Sequence, residues 1–177
     1  ILKWESDRNL ERQCLKNAGL KVPLVFNKAK GIDRLVIVKF MGAEGGRGYF
    51  LAKDEKDFNK KIKPYKLRKY VIQEYIIGVP LFTHYFYSSL TNEIEIMGCD
   101  IRYESNVDSL GRISARDQIV LPKIDPSYVI VGNIPVTVRE SFLPRLIEMG
   151  DAVVKESGKL APPGLFGPFC LETILTP

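Results

Sequence analysis

Apolar residues recur with the period of an α-helix over 139–156, the longest amphipathic stretch of the chain. Its apolar stripe consists of Leu143, Leu146, Ile147, Ala152 and Val153. A shorter stripe of the same period, made by Leu10, Cys14, Leu15 and Ala18, predicts a first helix. Ser6 or Asp7 can cap this helix at its start, and Gly19 is a natural stop. The chain therefore opens with one helix and carries a longer one near its end.

Segments rich in β-branched and aromatic residues predict strands between the two helices. These strands cover 35–40, 49–52, 70–77, 81–90, 93–100, 128–131 and 167–175. Asp54 predicts the cap of a short helix that ends near residue 62, and Thr91-Asn92 is a turn signal. A loop is predicted from Pro23 to about Arg34. Residues 103–117 hold many polar and charged side chains with neither a helical nor a strand period, and we expect them to form a long functional loop.

Composition and charge favour an ordinary globular protein of 177 residues, with 45% hydrophobic and 27% charged residues. No apolar run approaches the roughly 20 residues that a membrane span needs. Cys14, Cys99 and Cys170 are odd in number and far apart, so they match neither a zinc site nor a disulfide framework. We expect all three to pack in the core, in a reducing, cytoplasmic setting.

Part of the net charge of +5 comes from a basic run. The run consists of Lys60, Lys61, Lys63, Lys66, Arg68 and Lys69. A solvated face is the simpler interpretation. The alternative, a nucleic-acid interface, is disfavoured because only Tyr65 and Tyr70 are interleaved there and no nucleic-acid motif accompanies them.

The sharpest chemical signal is a lysine-ended strand followed by a glycine loop, Lys39 and then Gly42-Ala-Glu-Gly-Gly-Arg-Gly48. Glycines let successive backbone N–H groups approach an anion, and a lysine at the end of a buried strand aims a fixed charge at the same place. The Walker pattern is excluded because no Gly-Lys-Ser/Thr opens a helix, and the dinucleotide fingerprint because a strand follows the loop. The remaining alternative is a glycine-rich hairpin with an incidental lysine.

A second signal follows about 35 residues later, in Val71-Ile-Gln-Glu74-Tyr75-Ile76-Ile77-Gly78. A strand that ends in a glutamate, a few apolar residues and a glycine offers main-chain groups that can pair with an adenine edge. Alone, this pattern fits an edge-strand turn equally well. After the lysine and the glycine loop, it favours a nucleotide site.

This combination resembles the ATP-grasp superfamily, and more narrowly the archaeal 5-formaminoimidazole-4-carboxamide ribonucleotide (FAICAR) synthetase family. The matching segments are 4–12, the glycine loop, His84-Tyr-Phe-Tyr-Ser88, Arg102-Tyr-Glu-Ser-Asn106, Gly132-Asn-Ile-Pro135, Arg139-Glu-Ser141 and Gly167-Pro-Phe-Cys-Leu-Glu172. The resemblance implies an α+β, ATP-grasp fold with antiparallel sheets, packed helices and a glycine-rich flap.

The resemblance also implies a ligase that uses ATP, formate and the aminoimidazole carboxamide ribonucleotide (AICAR), with a formyl phosphate intermediate. The resemblance implies that Lys39 and the flap residues Gly45, Gly46, Arg47 and Gly48 contact the ATP phosphates. It implies that Gln73, Glu74, Tyr75 and Ile76 surround adenine, with Glu104 also on the ATP side. It further implies that Asn133 contacts AICAR and that Glu172 binds Mg²⁺ or Mn²⁺. Phosphoryl transfer needs alignment and charge neutralisation, which lysine, amides and a carboxylate-held metal supply.

His84 and the arginines leave alternatives open. His84 is the only histidine, so a catalytic role and a structural, hydrogen-bonded role are both open. Arg102 and Arg139, like Arg112 and Arg116, could bind a phosphate or an acyl phosphate, or could be salt-bridge partners. We take His84 and Arg102 with Lys39 as candidate catalytic residues, and Arg139 with Asn133 as candidate AICAR ligands.

The resemblance predicts three parts: a linker helix over 1–34, an ATP-binding subdomain over 35–78 and a second subdomain over 79–177. It places a further domain before Trp4 and a second metal carboxylate after the last strand, so we expect the chain alone to be inactive. It also implies a homo-oligomer.

Two rival functions are considered. One rival is a paralogous ligase joining another acid and amine. A non-catalytic nucleotide-binding module is disfavoured because Lys39 and Glu172 are both present.

Overall fold

The computed structural model describes residues 7–41, 48–65, 67–110, 112–120 and 129–176. The helices are α1 Arg8–Asn17, α2 Glu55–Lys61, α3 Ser105–Leu110, α4 Ala115–Val120 and α5 Leu143–Leu160. The strands are β1 Val25–Phe26, β2 Val36–Phe40, β3 Tyr49–Ala52, β4 Tyr70–Glu74, β5 Val79–Ser88, β6 Glu93–Glu104, β7 Ile130–Val136 and β8 Gly167–Leu175. Short 3-10 turns lie at Ala29–Gly31, Lys63–Tyr65 and Glu140–Phe142.

The chain forms two compact units. Unit 1 comprises Ile1–Val22, Gly78–Ile101 and Pro135–Pro177, as far as these ranges are described. Unit 2 comprises Pro23–Ile77 and Arg102–Ile134, with the same restriction. Neither unit is one continuous segment, and the predicted parts 1–34, 35–78 and 79–177 stay a prediction.

Unit 2 is built on a four-stranded sheet with the order β1-β4-β2-β3. All its pairs are antiparallel, with Lys39 opposite both Tyr49 on β3 and Val71 on β4. Side chains alternate between the two faces of a strand, so one face collects the core. The core residues are Val36, Val38, Ala52, Ile72 and Phe58 of α2, with Phe26, Ala29, Ile32, Phe50 and Ile62 packed around them.

The second sheet has the order β7-β6-β5-β8, and the paired β6, β5 and β8 are antiparallel. In unit 1, one face of β5 and β8 packs on the helices. Tyr85 is fully buried, its ring stacks on Phe169 of β8 at 5.0 Å, and its hydroxyl donates to the Leu146 carbonyl of α5 at 2.8 Å. Cys14 of α1, Val153 of α5 and Leu165 form a further core cluster. The opposite face of these strands carries His84 and Glu172.

Most predicted elements are present, although some of their ends differ. The helix predicted over 139–156 is observed at Leu143–Leu160, and the strand predicted over 128–131 is observed at Ile130–Val136. The predicted strands 49–52 and 167–175 are confirmed at both ends, and Asp7 caps α1 through its side chain, as Asp54 caps α2. The strand predicted over 70–77 ends earlier, at Glu74. The strand predicted over 93–100 continues to Glu104.

Two predicted loops were wrong. Residues 23–34 contain β1 and a 3-10 turn. A strand of two residues is too short to show an alternating pattern in the sequence. Residues 103–117 contain the end of β6, helix α3 and the start of α4. At α4 the Asp117 N–H donates to Ser114 Oγ at 3.2 Å while Ser114 Oγ bonds the Asp117 carboxylate at 2.7 Å. This capping pair is readable in the sequence as Ser-x-x-Asp.

The cysteines differ from the prediction as well. Cys14 is buried, and burial raises the pKa of its thiol, whereas Cys99 is half-buried and Cys170 is exposed. All three are free thiols. None of the helices in the described part of the chain is long and apolar enough to cross a membrane.

Candidate functional site

Lys39 lies on the face of the unit 2 sheet that does not carry the core. Along β2, Val36, Val38 and Phe40 are buried, whereas Ile37 and Lys39 are half-buried between them. Cross-strand partners share a face, so Val71 and Gln73 of β4 and Tyr49 of β3 lie on the same side as Lys39. The result is a half-open apolar surface with one ammonium and one carboxamide group. Such a surface suits a flat heterocycle that is joined to phosphates.

Only one end of the predicted flap is described. Gly45, Gly46 and Arg47 lie outside the described residues, together with the start of the glycine loop. Gly48 begins the return strand with a φ of 76°, a left-handed conformation that favours glycine. Its carbonyl accepts the N–H of Phe40 at 3.0 Å, which closes the hairpin next to Lys39. The loop therefore begins and ends beside the lysine.

The carboxylate of Glu74 is held by protein groups. It accepts the Leu24 N–H at 3.1 Å and the guanidinium of Arg34 at 3.0 Å. The Leu24 hydrogen bond and the Arg34 contact both lower the pKa of Glu74. Arg34 also donates to Asp33 at 2.8 Å. The Glu74 side chain thus ties β4 to the segment that precedes β2, and only its main chain is available to a nucleotide.

The main chain after Glu74 leaves β4 in a defined path. The Glu74 N–H donates to the Leu24 carbonyl at 2.8 Å, and the Tyr75 N–H donates to the Leu35 carbonyl at 3.0 Å. Neither of these two hydrogen bonds uses the Glu74 carbonyl or the Ile76 N–H. Tyr75 is exposed and Ile76 is half-buried. This segment is the edge at which an adenine could pair with backbone groups.

Arg102 and Asn133, both in unit 2, are brought together by the structure. Nη1 of Arg102 on β6 donates to Oδ1 of Asn133 on β7 at 2.6 Å. Because the amide oxygen of Asn133 accepts from Arg102, its NH₂ group can donate to another acceptor. Such a pair can present two donors to an anionic or carbonyl-rich ligand.

Glu104 lies at the end of β6, close to the start of α3. Its N–H donates to the carboxylate of Asp108, and burial followed by the charge of Asp108 raises the pKa of the Glu104 carboxyl. A carboxyl group in that state holds a proton to higher pH than usual and can then donate a hydrogen bond.

His84, in unit 1, is paired with Asp100. Nε2 of His84 on β5 lies 2.6 Å from Oδ2 of Asp100 on β6, and the two side chains are 38% and 10% exposed. The hydrogen-bonded histidine is therefore the interpretation that the geometry favours, although it leaves part of the ring open to solvent. A role in the reaction remains compatible with this arrangement.

Glu172 lies on β8 with its side chain exposed, opposite Phe82 of β5. It shares a face with His84, because His84 pairs with Cys170, two residues before Glu172 on β8. Within the described ranges, no group of three or more His, Cys, Asp and Glu side chains could hold a metal ion. One carboxylate still fits magnesium in a phosphate site, where one or two carboxylates act with substrate phosphates and water.

The predicted site residues therefore fall into two sets. Lys39, Gln73–Ile76, Arg102, Glu104 and Asn133 belong to unit 2, and His84, Arg139 and Glu172 belong to unit 1. Arg139 is exposed just before the 3-10 turn that leads into α5. The sequence does not reveal Arg34 as the partner of Glu74, since they are 40 residues apart. Nor does the sequence indicate that Asp100 is the partner of His84.

Comparison with known proteins extends this picture. A family model described as "Domain of unknown function (DUF1297)" matches residues 51–177, which is more than half of the chain. The chain belongs to the DUF1297 family. A relative from Pyrococcus abyssi is 53% identical over all of this chain and 54% of its own length. That relative is named 5-formaminoimidazole-4-carboxamide-1-(beta)-D-ribofuranosyl 5'-monophosphate synthetase. The resemblance to FAICAR synthetases is thereby confirmed.

Solved structures confirm the ATP-grasp fold. The IMP biosynthesis protein PurP from Thermococcus kodakaraensis is similar over 98% of this chain and 50% of its own, with a TM-score of 0.69 and 30% identity. N5-carboxyaminoimidazole synthetase from Staphylococcus aureus, solved with ADP, covers 96% of this chain and 41% of its own, with a TM-score of 0.66 and 19% identity. The chain spans about half the length of the curated relatives it matches.

Proposed function

We propose that the protein is an ATP-dependent ligase that formylates AICAR with formate, releasing FAICAR, ADP and phosphate. The observation that carries the proposal is the open face of the unit 2 sheet, where Lys39 and Gln73 stand among apolar side chains. The names of the relatives support the formylated carboxamide ribonucleotide as the product, and formate and AICAR are the substrates that the family resemblance implies. Formate oxygen would attack the γ-phosphorus of ATP, and the AICAR amine would then attack the resulting formyl phosphate and displace phosphate.

The ATP roles follow the strand register. Lys39 would neutralise phosphate charge, with the glycine loop, including Gly45, Gly46, Arg47 and Gly48, closing above it. Adenine would lie against Val71 and Ile37, its edge paired with main-chain groups of Gln73–Ile76. Glu104 would stand on the ATP side, where burial and the charge of Asp108 raise the pKa of its carboxyl.

Glu172 would hold a magnesium ion, or manganese, together with ATP phosphate oxygens. The ion supplies charge neutralisation and alignment of the phosphates when it is bound. Asn133, held by Arg102, would contact AICAR, and Arg139 would pair with a phosphate. Arg102 adds a positive charge where the acyl phosphate forms. Small molecules are the proposed partners, and a homo-oligomer is the proposed assembly.

ADP release tests this proposal in the full-length protein. It is measured with formate alone, with AICAR alone and with both. Turnover that requires both substrates supports the proposal. ATP hydrolysis that responds to neither contradicts it and favours a ligase for another acid and amine.

A matched pair of variants tests the role of Lys39. Lys39→Ala should lower kcat/KM for ATP by about 100-fold, the effect of removing one group that stabilises developing charge. Lys56→Ala removes an exposed lysine of the same unit from α2 and should leave the kinetics unchanged. Equal kinetics for Lys39→Ala and the wild type would remove Lys39 from the mechanism.

A further inference from the structure

The pair His84–Asp100 depends on a β-bulge. From the turn at Asn92, β5 and β6 pair in regular register as far as Tyr85 opposite Ile96. The register then shifts, and His84 lies opposite Gly98 instead of Met97. Without this shift, Asp100 would lie opposite Leu81, which is buried on the helix-packed face. With it, Asp100 lies opposite Phe82 and shares the face of His84.

The two residues of the pair differ in their exposure to solvent. Asp100 is 7% exposed, whereas the His84 side chain is 38% exposed. Gly98 stands opposite His84 on β6, and a Cβ added there would meet nothing within 4 Å. The bulge thus buries the carboxylate and leaves space beside the imidazole. Bulges of this kind often re-aim a side chain next to an active site.

The contact also fixes the chemistry of the ring. A carboxylate only accepts hydrogen bonds, so the neutral imidazole must carry its proton on Nε2, which faces Asp100 at 2.6 Å. The other nitrogen, Nδ1, is then the basic atom of the ring. A carboxylate behind an imidazole holds the tautomer in place and stabilises the imidazolium that forms when Nδ1 takes up a proton.

We infer that Asp100 is a positioning residue that holds His84 as the general base for the attacking amine; this rests on the proposed function. The amine nitrogen of AICAR forms a bond to the formyl carbon, and the bond from that carbon to the phosphate oxygen breaks. Phosphate leaves with the electron pair of that bond. The proton that the nitrogen loses goes to Nδ1 of His84. Glu172 lies on the neighbouring strand and the same face, where the metal ion proposed for it would neutralise the departing phosphate.

The test separates formation of the acyl phosphate from its use. The full-length protein is incubated with ATP and formate, and hydroxylamine traps the acyl phosphate as a hydroxamate without needing a base. Formylation of AICAR is measured in parallel. Asp100→Asn should lower formylation by roughly 10- to 100-fold and His84→Gln by roughly 100-fold or more. Both variants should form hydroxamate within about two-fold of the wild type, with a similar KM for ATP.

The control variant is Glu95→Gln, which makes the same carboxylate-to-amide change at an exposed position on β6. It should leave both reactions unchanged. In the double variant Asp100→Asn/His84→Gln, the loss should equal that of His84→Gln alone, because Asp100 acts only through the histidine.

Four outcomes would overturn the inference. Equal losses in hydroxamate formation and formylation would show a structural role only. A further loss in the double variant would show that Asp100 acts independently of His84. Unchanged formylation in both single variants would exclude the base while leaving the proposed function intact. Wild-type protein that forms no hydroxamate would overturn the proposed function, and this inference with it.

Discussion

Gly150 on helix α5 provides a stringent test of the packing in unit 1. A Cβ added there would lie 2.5 Å from Cδ1 of Ile94 and 2.8 Å from Cε1 of Tyr85. The Tyr85 ring cannot retreat easily, because it is fully buried, stacked on Phe169 and hydrogen-bonded to Leu146. Overpacking of this kind costs about 1–3 kcal/mol. The gain in helix propensity from Gly to Ala offsets up to about 1 kcal/mol of that cost.

Gly150→Ala should therefore be less stable than the wild type by about 1–2 kcal/mol, which corresponds to a Tm lower by roughly 2–8 °C for a chain of this size. Gly158→Ala is the matched control on the same helix. Its nearest new contact is the Pro163 carbonyl oxygen at 3.8 Å, so it should be neutral or more stable than the wild type. Thermal unfolding followed by circular dichroism measures both variants.

A rescue variant completes the test. Ile94→Val deletes the Cδ1 atom that lies closest to the added methyl group, so Gly150→Ala should cost less in that background. The close approach to Tyr85 remains, and rescue should be partial. A Gly150→Ala variant as stable as the wild type would refute the close packing of α5 against β5 and β6. The same would follow if Ile94→Val gave no rescue.

Three further predictions follow from the contacts described above. Tyr85→Phe should lower the free energy of unfolding in urea by about 1–2 kcal/mol, because its hydroxyl donates to Leu146 in the core; Tyr87→Phe, whose hydroxyl bonds Asn92 at the surface, should change it little. Asp7→Ala should cost about 1 kcal/mol through loss of the α1 cap, while Asp7→Asn should cost almost nothing, and equal stabilities for the two would contradict the capping role. The Leu24 N–H and Arg34 lower the pKa of Glu74, so Glu74 stabilises the fold above the ordinary carboxyl range, and this stability is lost as pH falls through its lowered pKa. Glu74→Gln should therefore be less stable than the wild type near pH 7, and the difference should shrink as pH falls below the ordinary carboxyl range; a difference in thermal stability that is constant with pH would refute this.

Most of the secondary structure can be predicted from the sequence because it depends on interactions between residues that are close along the chain. Asp7 and Asp54 act as caps within three residues, and the apolar stripe of α5 follows from helical periodicity. The strand 167–175 alternates between half-buried and exposed positions along its whole length. Such signals need no knowledge of the distant chain.

The site is less predictable, because it depends on pairings between distant residues. Arg34 meets Glu74 only once β4 lies beside the segment before β2. Asp100 reaches the face of His84 only because of a bulge. Gly98, an isolated glycine in the predicted strand, is a local sign of a bulge, but it does not show which residues then pair across the two strands. The two units, likewise, are made of separated segments, which a scan along the chain cannot group.

The register of β2 has a consequence for how this region can change. Lys39 lies between Val38 and Phe40, which are 0% and 1% exposed. Because successive side chains of a strand point to opposite faces, the register of β2 decides both which residue carries the charge on the open face and which residues enter the core. Substitutions can alter either face separately. Inserting or deleting one residue between Val36 and Lys39 would drive the ammonium into the core and turn a buried valine outward. The chemistry of either face of this strand can thus be changed by substitution, whereas a change of length by one residue would need a bulge like the one between β5 and β6 to keep Lys39 on its face.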